Sequence, residues 1–469
     1  MIGVALLAAS MRLAPLARSD LAHAFRPDDS FEYLQLADGI RHGCGFARLI
    51  QGTCRPAEIL RTPGYPLFLA GVDGSIRWAI AAQAILGGIV CLMVAAWIAG
   101  YWNFSAAIAA ELLIAFDLPS IVMSNEIMSE ALFQFVLVIA LFPVLLAAAR
   151  GRKAVFTAAI AGFVAGIAIL VRPIGIILPL LLPIPFLVSR ALERRQRYLA
   201  AALACAIPVL MVGGWSARNY RVAGYPGLST VGAINIYYYR AADIVARENN
   251  TLLEATRASF GARLGVPYEL VYEARVQSAA LARRMNQLGF MVIRAHPIEA
   301  AVMMLQGSIY LALSPMRSPL AATIGTSGVY HGDGLNAGAF SISRISNTFR
   351  LIWQSPVLSV LILFEALLTM LVWAGIGVGL VRCARGQSEY RVSVTFLTAT
   401  GILLLVLAAG GEADVRFRVP VVPLLAAVAA LGYFPQRRGV DQVAGVPVCE
   451  TIGGSKAVIG GGSPANRSI

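Results

Sequence analysis

The sequence predicts an all-α polytopic membrane protein: about ten transmembrane helices, with further helices lying along the outer face. Three observations predict it. Of the 469 residues, 58% are hydrophobic and only 13% charged, and mean hydropathy is +0.72, a balance outside the range of soluble folds. Apolar runs that meet or approach the roughly 20 residues needed to span a bilayer recur along the chain. Basic residues gather in the short stretches between those runs, as they do in cytoplasmic loops.

The candidate spans are Ile2–Leu16, Trp78–Ala99, Phe104–Val122, Ala131–Ala149, Phe156–Val171, Gly175–Val188, Leu199–Trp215, Pro356–Leu380, Val392–Ala409 and Val419–Phe434. The first is short and has no basic residue ahead of it, so it does not read as a cleaved signal peptide, and the true start is left open. Arg150, Arg152 and Lys153 form one basic cluster, and Arg190, Arg194, Arg195 and Arg197 a second. Arg382, Arg385 and Arg391 form a third, and Arg437 with Arg438 follows the last span. All fall on one side if the N-terminus is cytoplasmic. That parity makes a multi-pass protein of the inner (plasma) membrane with both termini inside. Residues 17–77 and 216–355 then lie outside. Residues 1–434 read as a single transmembrane domain, and the Gly-rich residues 435–469 as a disordered cytoplasmic tail. Pro297–Leu313 is expected to lie in the outer interface, because no second crossing is available before Pro356.

The formal charge of +13 is almost wholly arginine, Lys153 and Lys456 being the only lysines. In a membrane protein such an excess serves orientation and lipid headgroups, so membrane lipids are expected partners and nucleic acid is rejected. Four His and six Cys without paired metal-ligand spacing make a structural zinc site unlooked-for. Cys44 and Cys54 share the first outer loop and are expected to form a disulfide, two free thiols being the alternative. Cys91, Cys205 and Cys383 read as small core residues.

The stretch "RPDDSFEYLQLADGI", Arg26–Ile40, carries acids directly after the first span. Asp29 and Glu32 have capping-box spacing, and Tyr33, Leu36, Ala37 and Ile40 recur at helical spacing. A capped amphipathic helix is one reading; an acid held at the membrane surface for chemistry is the other. Further polar groups crowd the outer ends of the spans. Arg61 precedes Pro63-Gly64 and Pro66; Glu126 and Glu130 are spaced i, i+4 at the start of the fourth span; Arg172 sits in a tight turn. Arg218-Asn219-Tyr220 ends the seventh span, and Glu412, Asp414, Arg416 and Arg418 precede the last.

In order, the chain shows D-x-x-x-Y from Asp29, R-x-P-G-Y-P from Arg61 and S-E-x-L-F from Ser129. G-x-x-x-G-x-x-x-L-x-R-P from Gly162, W-x-x-R-N-Y from Trp215 and R-F-R-x-P-x-x-P from Arg416 follow. Each motif alone is weak, but six in this order on one side resemble the membrane-embedded C-type glycosyltransferases. The likeness runs from Asp28 to about Pro423, and points to the bacterial branch near the lipid A aminoarabinose transferase and the protein O-mannosyltransferases. It implies a sugar donor on a polyprenyl phosphate, an outer-face site in the cell envelope, and inversion at the anomeric carbon. It also implies that Asp29 is the first-loop acid and Glu130 the second. Asp28 beside Asp29 departs from the commoner pattern and leaves the register between them open. Arg61-Thr62 stand where the aminoarabinose branch has an acidic-basic pair, which puts that branch's metal site in question.

The chemistry agrees with these roles. A carboxylate such as Asp29 or Asp28 can take the proton of an attacking hydroxyl. Arg61, Arg172, Arg218 and Arg416 are candidates for binding the donor phosphate, since guanidinium offers permanently charged planar donors. Glu130 could orient the acceptor or, with Asp29, hold a divalent metal; no nucleotide or redox cofactor is expected. The bland readings stand beside these. Arg61, Arg172 and Arg218 could snorkel to lipid phosphates, Glu126 could be a solvated helix-start acid, and one of Arg416 and Arg418 an interfacial anchor. Glu111 lies inside a span, where acids are functional by default, with no partner to name. From another class, a lipid-linked oligosaccharide flippase or transporter would need midplane ionisable groups and often internal repeats, and neither is seen. An O-antigen-type polymerase or ligase is chemically closer. Sugar and acceptor are left open.

Overall fold

The computed structural model describes residues 1–17, 21, 24–26, 29–101, 103–151, 153–273, 276–316, 320, 355–386 and 391–434. Asp28 and the tail from residue 435 lie outside them. Among the described residues the fold is helical apart from one hairpin. It begins with α1 (Ile2–Leu13), α2 (Asp29–Arg41), β1 (Ala47–Ile50), β2 (Thr53–Ala57), α3 (Gly64–Gly71) and α4 (Ile76–Tyr101). There follow α5 (Phe104–Ala115), α6 (Leu118–Met123), α7 (Glu130–Arg150), α8 (Ala154–Val171), the short α9 (Leu178–Leu181) and α10 (Pro183–Val188), and α11 (Arg194–Ala223). The long segment after α11 folds as α12 (Val231–Ile234), a π-helix (Asn235–Ala241), α13 (Ala242–Glu248), α14 (Leu253–Leu264), α15 (Ala279–Ala295) and α16 (Pro297–Leu313). The chain closes with α17 (Pro356–Ala384), α18 (Arg391–Ala408), a 3-10 turn (Val415–Val421) and α19 (Val422–Tyr433).

Among the described residues, seven helices are long and apolar enough to cross a membrane, α4, α7, α8, α11, α17, α18 and the run Val415–Tyr433, or eight if the bent pair α15–α16 counts as one span. The other three apolar runs fall short of a full span, and two of them break for legible reasons. The run expected over Phe104–Val122 breaks because Asp117 caps a new helix, its Oδ2 accepting from Ser120 N at 2.9 Å. Gly175–Val188 breaks at Pro179 and Pro183, which start α9 and α10 instead of continuing one span. Arg12, fully buried in α1, donates to Ile114 O at 3.2 Å and Ala115 O at 3.4 Å. It thus places a cation on the carbonyl end of α5. Glu111 stands 3.7 Å from the Met1 amino group. α15 and α16 meet at a bend of 100°, and α16 packs one face, through Met303, Gly307 and Leu311, against α18 and the 3-10 turn while Ile298 and Leu305 stay exposed.

Three local devices position the functional end. Cys44 and Cys54 are joined by a disulfide, with Cα atoms 5.6 Å apart. It ties the β1–β2 hairpin, which turns through Gln51 and Gly52, both at positive φ. From β1, buried Arg48 reaches Glu58 at 2.6 Å and Glu32 at 3.2 Å, so the hairpin is ion-paired to α2. Arg55, by contrast, is exposed on β2. Gly64 lets the start of α3 touch the end of α8: a Cβ there would lie 2.7 Å from Val171 Cγ2 and 2.8 Å from Leu170 O. That approach brings Arg61 and Arg172 to the same side of the molecule.

Candidate active site

Asp29 is the first residue of α2, and both of its carboxylate oxygens are taken by arginines. Oδ1 accepts from Arg61 Nη2 at 2.5 Å and Oδ2 from Arg416 Nη1 at 2.9 Å. Arg61 also donates to Glu32 at 2.6 Å and lies over the Tyr33 ring. The capping box therefore does not form: Glu32 is spent on Arg61 and Arg48, two buried cations that outbid a backbone N–H. The helix start is anchored by Ser30 instead, whose Oγ accepts from Arg26 N at 2.9 Å and donates to Ile127 O at 3.1 Å. Burial by itself would raise the Asp29 carboxyl, but the charges of Arg61 and Arg416 more than offset it. Asp29 is held well below the usual carboxylate range and is ionised at any physiological pH.

Glu126 and Glu130 do not share a helix face. α7 begins at Glu130, and Glu126 sits in the preceding turn, which is fixed by Gln83 of α4 donating to Ser124 O at 3.0 Å and Glu126 O at 2.9 Å. Glu126 is not a solvated helix-start acid either: it is buried and ion-paired to Arg26 at 2.5 Å. Glu130 is fully buried, with Arg172 Nη1 at 2.6 Å and Arg416 Nε at 3.7 Å. Arg172 also donates to Ser129 Oγ at 3.0 Å and, like Arg416, lies over the Phe417 ring.

Burial pushes the Glu126 carboxyl up to about 6, with Arg26 offsetting only part of it. Buried Glu32 and Glu412 are raised for the same reason. A carboxyl whose folded value lies above its unfolded one binds more protons folded, so stability falls as pH rises through that window. Asp29 and Asp414 are held down, and their contribution is lost only as pH falls below about 4. A melt in detergent should therefore show a lower Tm at pH 7 than at pH 5. Glu126→Gln should remove up to about 2 kcal/mol of that difference. A Tm that is flat or rising between pH 5 and 7 would contradict this.

Arg26, Asp414 and Arg416 close the network. Arg26 Nη1 donates to Asp414 Oδ2 at 3.0 Å, and Asp414 Oδ1 accepts from Arg416 N at 3.0 Å. Neither Arg416 nor Arg418 is an interfacial anchor. Arg418 is buried, paired to Glu365 of α17 at 2.6 Å, and donates to Ser314 O at 3.1 Å. Arg218 is also committed elsewhere. It donates to Glu58 O and Phe46 O and lies over Phe46 and Trp215, so it fixes the first loop from α11.

Asp29, Glu130, Arg61, Arg172 and Arg416 all line one cavity of about 620 Å3, which Arg218 does not reach. One part of its wall is apolar: Ile174 and Ile176 from the 3-10 turn after α8, Leu404 and Leu407 from α18, and Phe417. Of these, Ile176 and Leu407 are 50% and 38% exposed, so this wall continues onto the exposed apolar surface. The other part comes from the long segment after α11, through Asn235, Tyr239, Arg240 and Tyr272.

Buried polar atoms are nearly always satisfied, yet among the described residues several at this cavity make no hydrogen bond. They are Arg26 Nη2, Arg416 Nε, Glu130 Oε2 and Glu412 Oε2, while Glu130 Oε1 has only its ion pair with Arg172 at 2.6 Å. Such a set of orphans in one place marks a polar ligand site. A divalent cation suits it poorly. Both Asp29 oxygens face arginines and Glu130 faces Arg172, so positive charge already fills the coordinating positions. Among the described residues no group of three His, Cys, Asp or Glu converges. Arg26, Tyr239, Arg240 and Tyr272 were not expected from the sequence. Arg26 stands three residues before Asp29, where a basic neighbour to an acidic motif was the available signal; the tyrosines gave none.

No protein-family model matches the chain, and neither does any curated protein. Solved structures of membrane enzymes do. The Archaeoglobus fulgidus oligosaccharyltransferase tethered with an acceptor peptide matches over 92% of this chain and 49% of that one, at 15% identity and TM-score 0.49. The same enzyme in complex with Zn and sulfate gives 16% and 0.47 over the same shares. ArnT from Cupriavidus metallidurans bound to undecaprenyl phosphate matches over 92% and 76%, at 13% identity and TM-score 0.36. The chain thus spans about half the length of the oligosaccharyltransferase. All three scores lie below 0.5, so the functional weight stays on the residues described above.

Proposed function

We propose that the chain is a glycosyltransferase that moves a hexose or pentose from a polyprenyl-phosphate donor to an acceptor of the cell envelope, on the outer face of the membrane. One observation carries this. Four carboxylates (Asp29, Glu130, Glu412 and Asp414) and five arginines (Arg26, Arg61, Arg172, Arg240 and Arg416) line a single cavity whose wall also carries apolar residues, with Ile176 and Leu407 partly exposed. A soluble nucleotide sugar has no use for such a wall, whereas a donor with a polyprenyl tail does.

In this reading Arg172 and Arg416, with Arg61 beside them, hold the donor phosphate at headgroup depth. The acceptor hydroxyl attacks the anomeric carbon from the opposite face. The new carbon–oxygen bond forms as the bond to phosphate breaks, and the configuration inverts. Asp29 takes the hydroxyl proton, and the arginines stabilise the charge that develops on the departing polyprenyl phosphate. A phosphate entering the cavity competes with Asp29 for Arg416, and each contact that the arginine gives up raises the basicity of the carboxylate. Glu130, held by Arg172, orients the acceptor. Asp28 is kept as the alternative base, one residue out of register.

The test is mass spectrometry of envelope glycans and lipid-linked sugars, with and without the gene. Loss of one glycan with accumulation of its lipid-linked sugar is expected, and the wild-type gene but not Asp29→Asn should restore it. Unchanged glycans would refute the proposal. Accumulation confined to the inner leaflet would point to a flippase.

A further inference from the structure

The polar wall contributed by the segment after α11 is built unlike the catalytic side. Tyr237 and Tyr238 of the π-helix are buried, their hydroxyls donating to Phe260 O at 3.0 Å and Val266 O at 2.5 Å. That anchoring turns the next residue, Tyr239, to the cavity. Tyr239 is itself held rigidly. Its hydroxyl meets those of Tyr268 at 2.5 Å and Tyr272 at 3.1 Å, and the Arg257 guanidinium lies 4.4 Å from its ring centroid. A π-helical turn is an uncommon conformation that occurs frequently at functional sites.

Beside it, Arg240 grips Glu412 through Nε at 2.8 Å and Nη2 at 2.6 Å, both on Oε1. This leaves Glu412 Oε2 buried and without a hydrogen bond among the described residues. Asn235, at the start of the π-helix, also lines the cavity. An amphiphilic donor whose phosphate sits at the arginines and whose tail follows Ile176 and Leu407 must direct its sugar away from the apolar wall, toward these groups.

We propose that Asn235, Tyr239, Tyr272 and the Arg240–Glu412 pair form the sugar subsite, and that it selects a neutral hydroxylated ring over a cationic amino sugar or an anionic uronic acid. This rests on the reading of the cavity as the site of a lipid-linked sugar. A rigid aromatic ring packs against the apolar C–H face of a sugar at little entropic cost. The free Glu412 oxygen needs a donor, and a hydroxyl supplies one. An ammonium group gains little there, because Arg240 already neutralises the carboxylate and Arg257 already occupies the cation-binding capacity of Tyr239. A carboxylate would face the unpaired Glu412 oxygen.

The test uses the purified full chain in lipid nanodiscs, with labelled polyprenyl phosphate displaced by four competitors. These are the bare lipid phosphate and the same lipid carrying a neutral hexose, an amino sugar or a uronic acid. The neutral conjugate should displace the label at a concentration about tenfold lower than the bare lipid, with the charged conjugates no better than the bare lipid. Tyr239→Ala should abolish the neutral sugar's advantage, and Tyr239→Phe, which keeps the ring, should retain most of it. A charged conjugate binding as tightly as the neutral one, or a neutral conjugate no better than bare lipid, would overturn the assignment while leaving the lipid-phosphate site intact. Failure of every lipid to bind would overturn both.

Discussion

Asp29→Asn yields a folded protein whose transfer rate is lower by a factor on the order of 10²–10⁴. The fold should survive because neither arginine is stranded. Arg61 keeps Glu32, and Arg416 keeps Asp414 and Glu130 within 4 Å. Some loss of Tm is expected, since the change removes one negative charge from between two cations. The rival reading makes Asp29 only a counter-ion for those arginines, and the two readings separate in kinetics. A counter-ion's removal frees Arg61 and Arg416 for phosphate, tightening donor binding with kcat intact. A base's removal collapses kcat and leaves donor affinity equal or improved. Asp28→Asn is the register control and should cost far less. Near-normal transfer by both single variants and by the double variant would remove this motif from the chemistry.

The second large effect is expected at Arg416. This side chain hydrogen-bonds Asp29, lies 3.6–3.7 Å from Asp414 and Glu130, and covers the Phe417 ring. No other side chain in the cavity joins both candidate acids. Arg416→Lys keeps the charge and much of the length but loses the planar fork, so one ammonium cannot serve phosphate and carboxylates together. A fall in kcat/KM on the order of 10²-fold is expected, shared between a higher donor KM and a lower kcat. If charge alone mattered, Arg416→Lys would keep kcat/KM within about threefold while Arg416→Met lost it; that outcome would contradict the bridging role.

The bundle was legible because spans announce themselves by apolar length, and the seven long helices answer to seven of the ten runs. Two of the three that fell short were cut by residues whose effect is local: Asp117 by capping, Pro179 and Pro183 by restarting the chain. Of the arginines that meet at the cavity, Arg61, Arg172 and Arg416 were legible as basic residues near span ends, since few other places in so apolar a sequence can hold a guanidinium. Their partners were not. Nothing in the spacing of Asp29 and Glu32 says that a helix-start carboxylate will prefer Arg61 and Arg416, the latter 387 residues away, to its own backbone. Arg218 shows the converse: a motif arginine at a span end turns inward to carbonyls of the first loop. Tyr239 was hidden because its direction depends on a π-helical turn, which has no compositional signature.

The arginines of the cavity stand already engaged by carboxylates before any donor arrives. A small inorganic anion drifting in must therefore dislodge an ion pair and gains only the exchange of one oxyanion for another. A polyprenyl phosphate faces the same exchange, but its tail gains burial along Ile176 and Leu407 that no phosphate or sulfate in the surrounding fluid can match. In the proposed reading, the pre-formed pairs would screen out bystander ions, and the greasy wall would decide which phosphate is admitted.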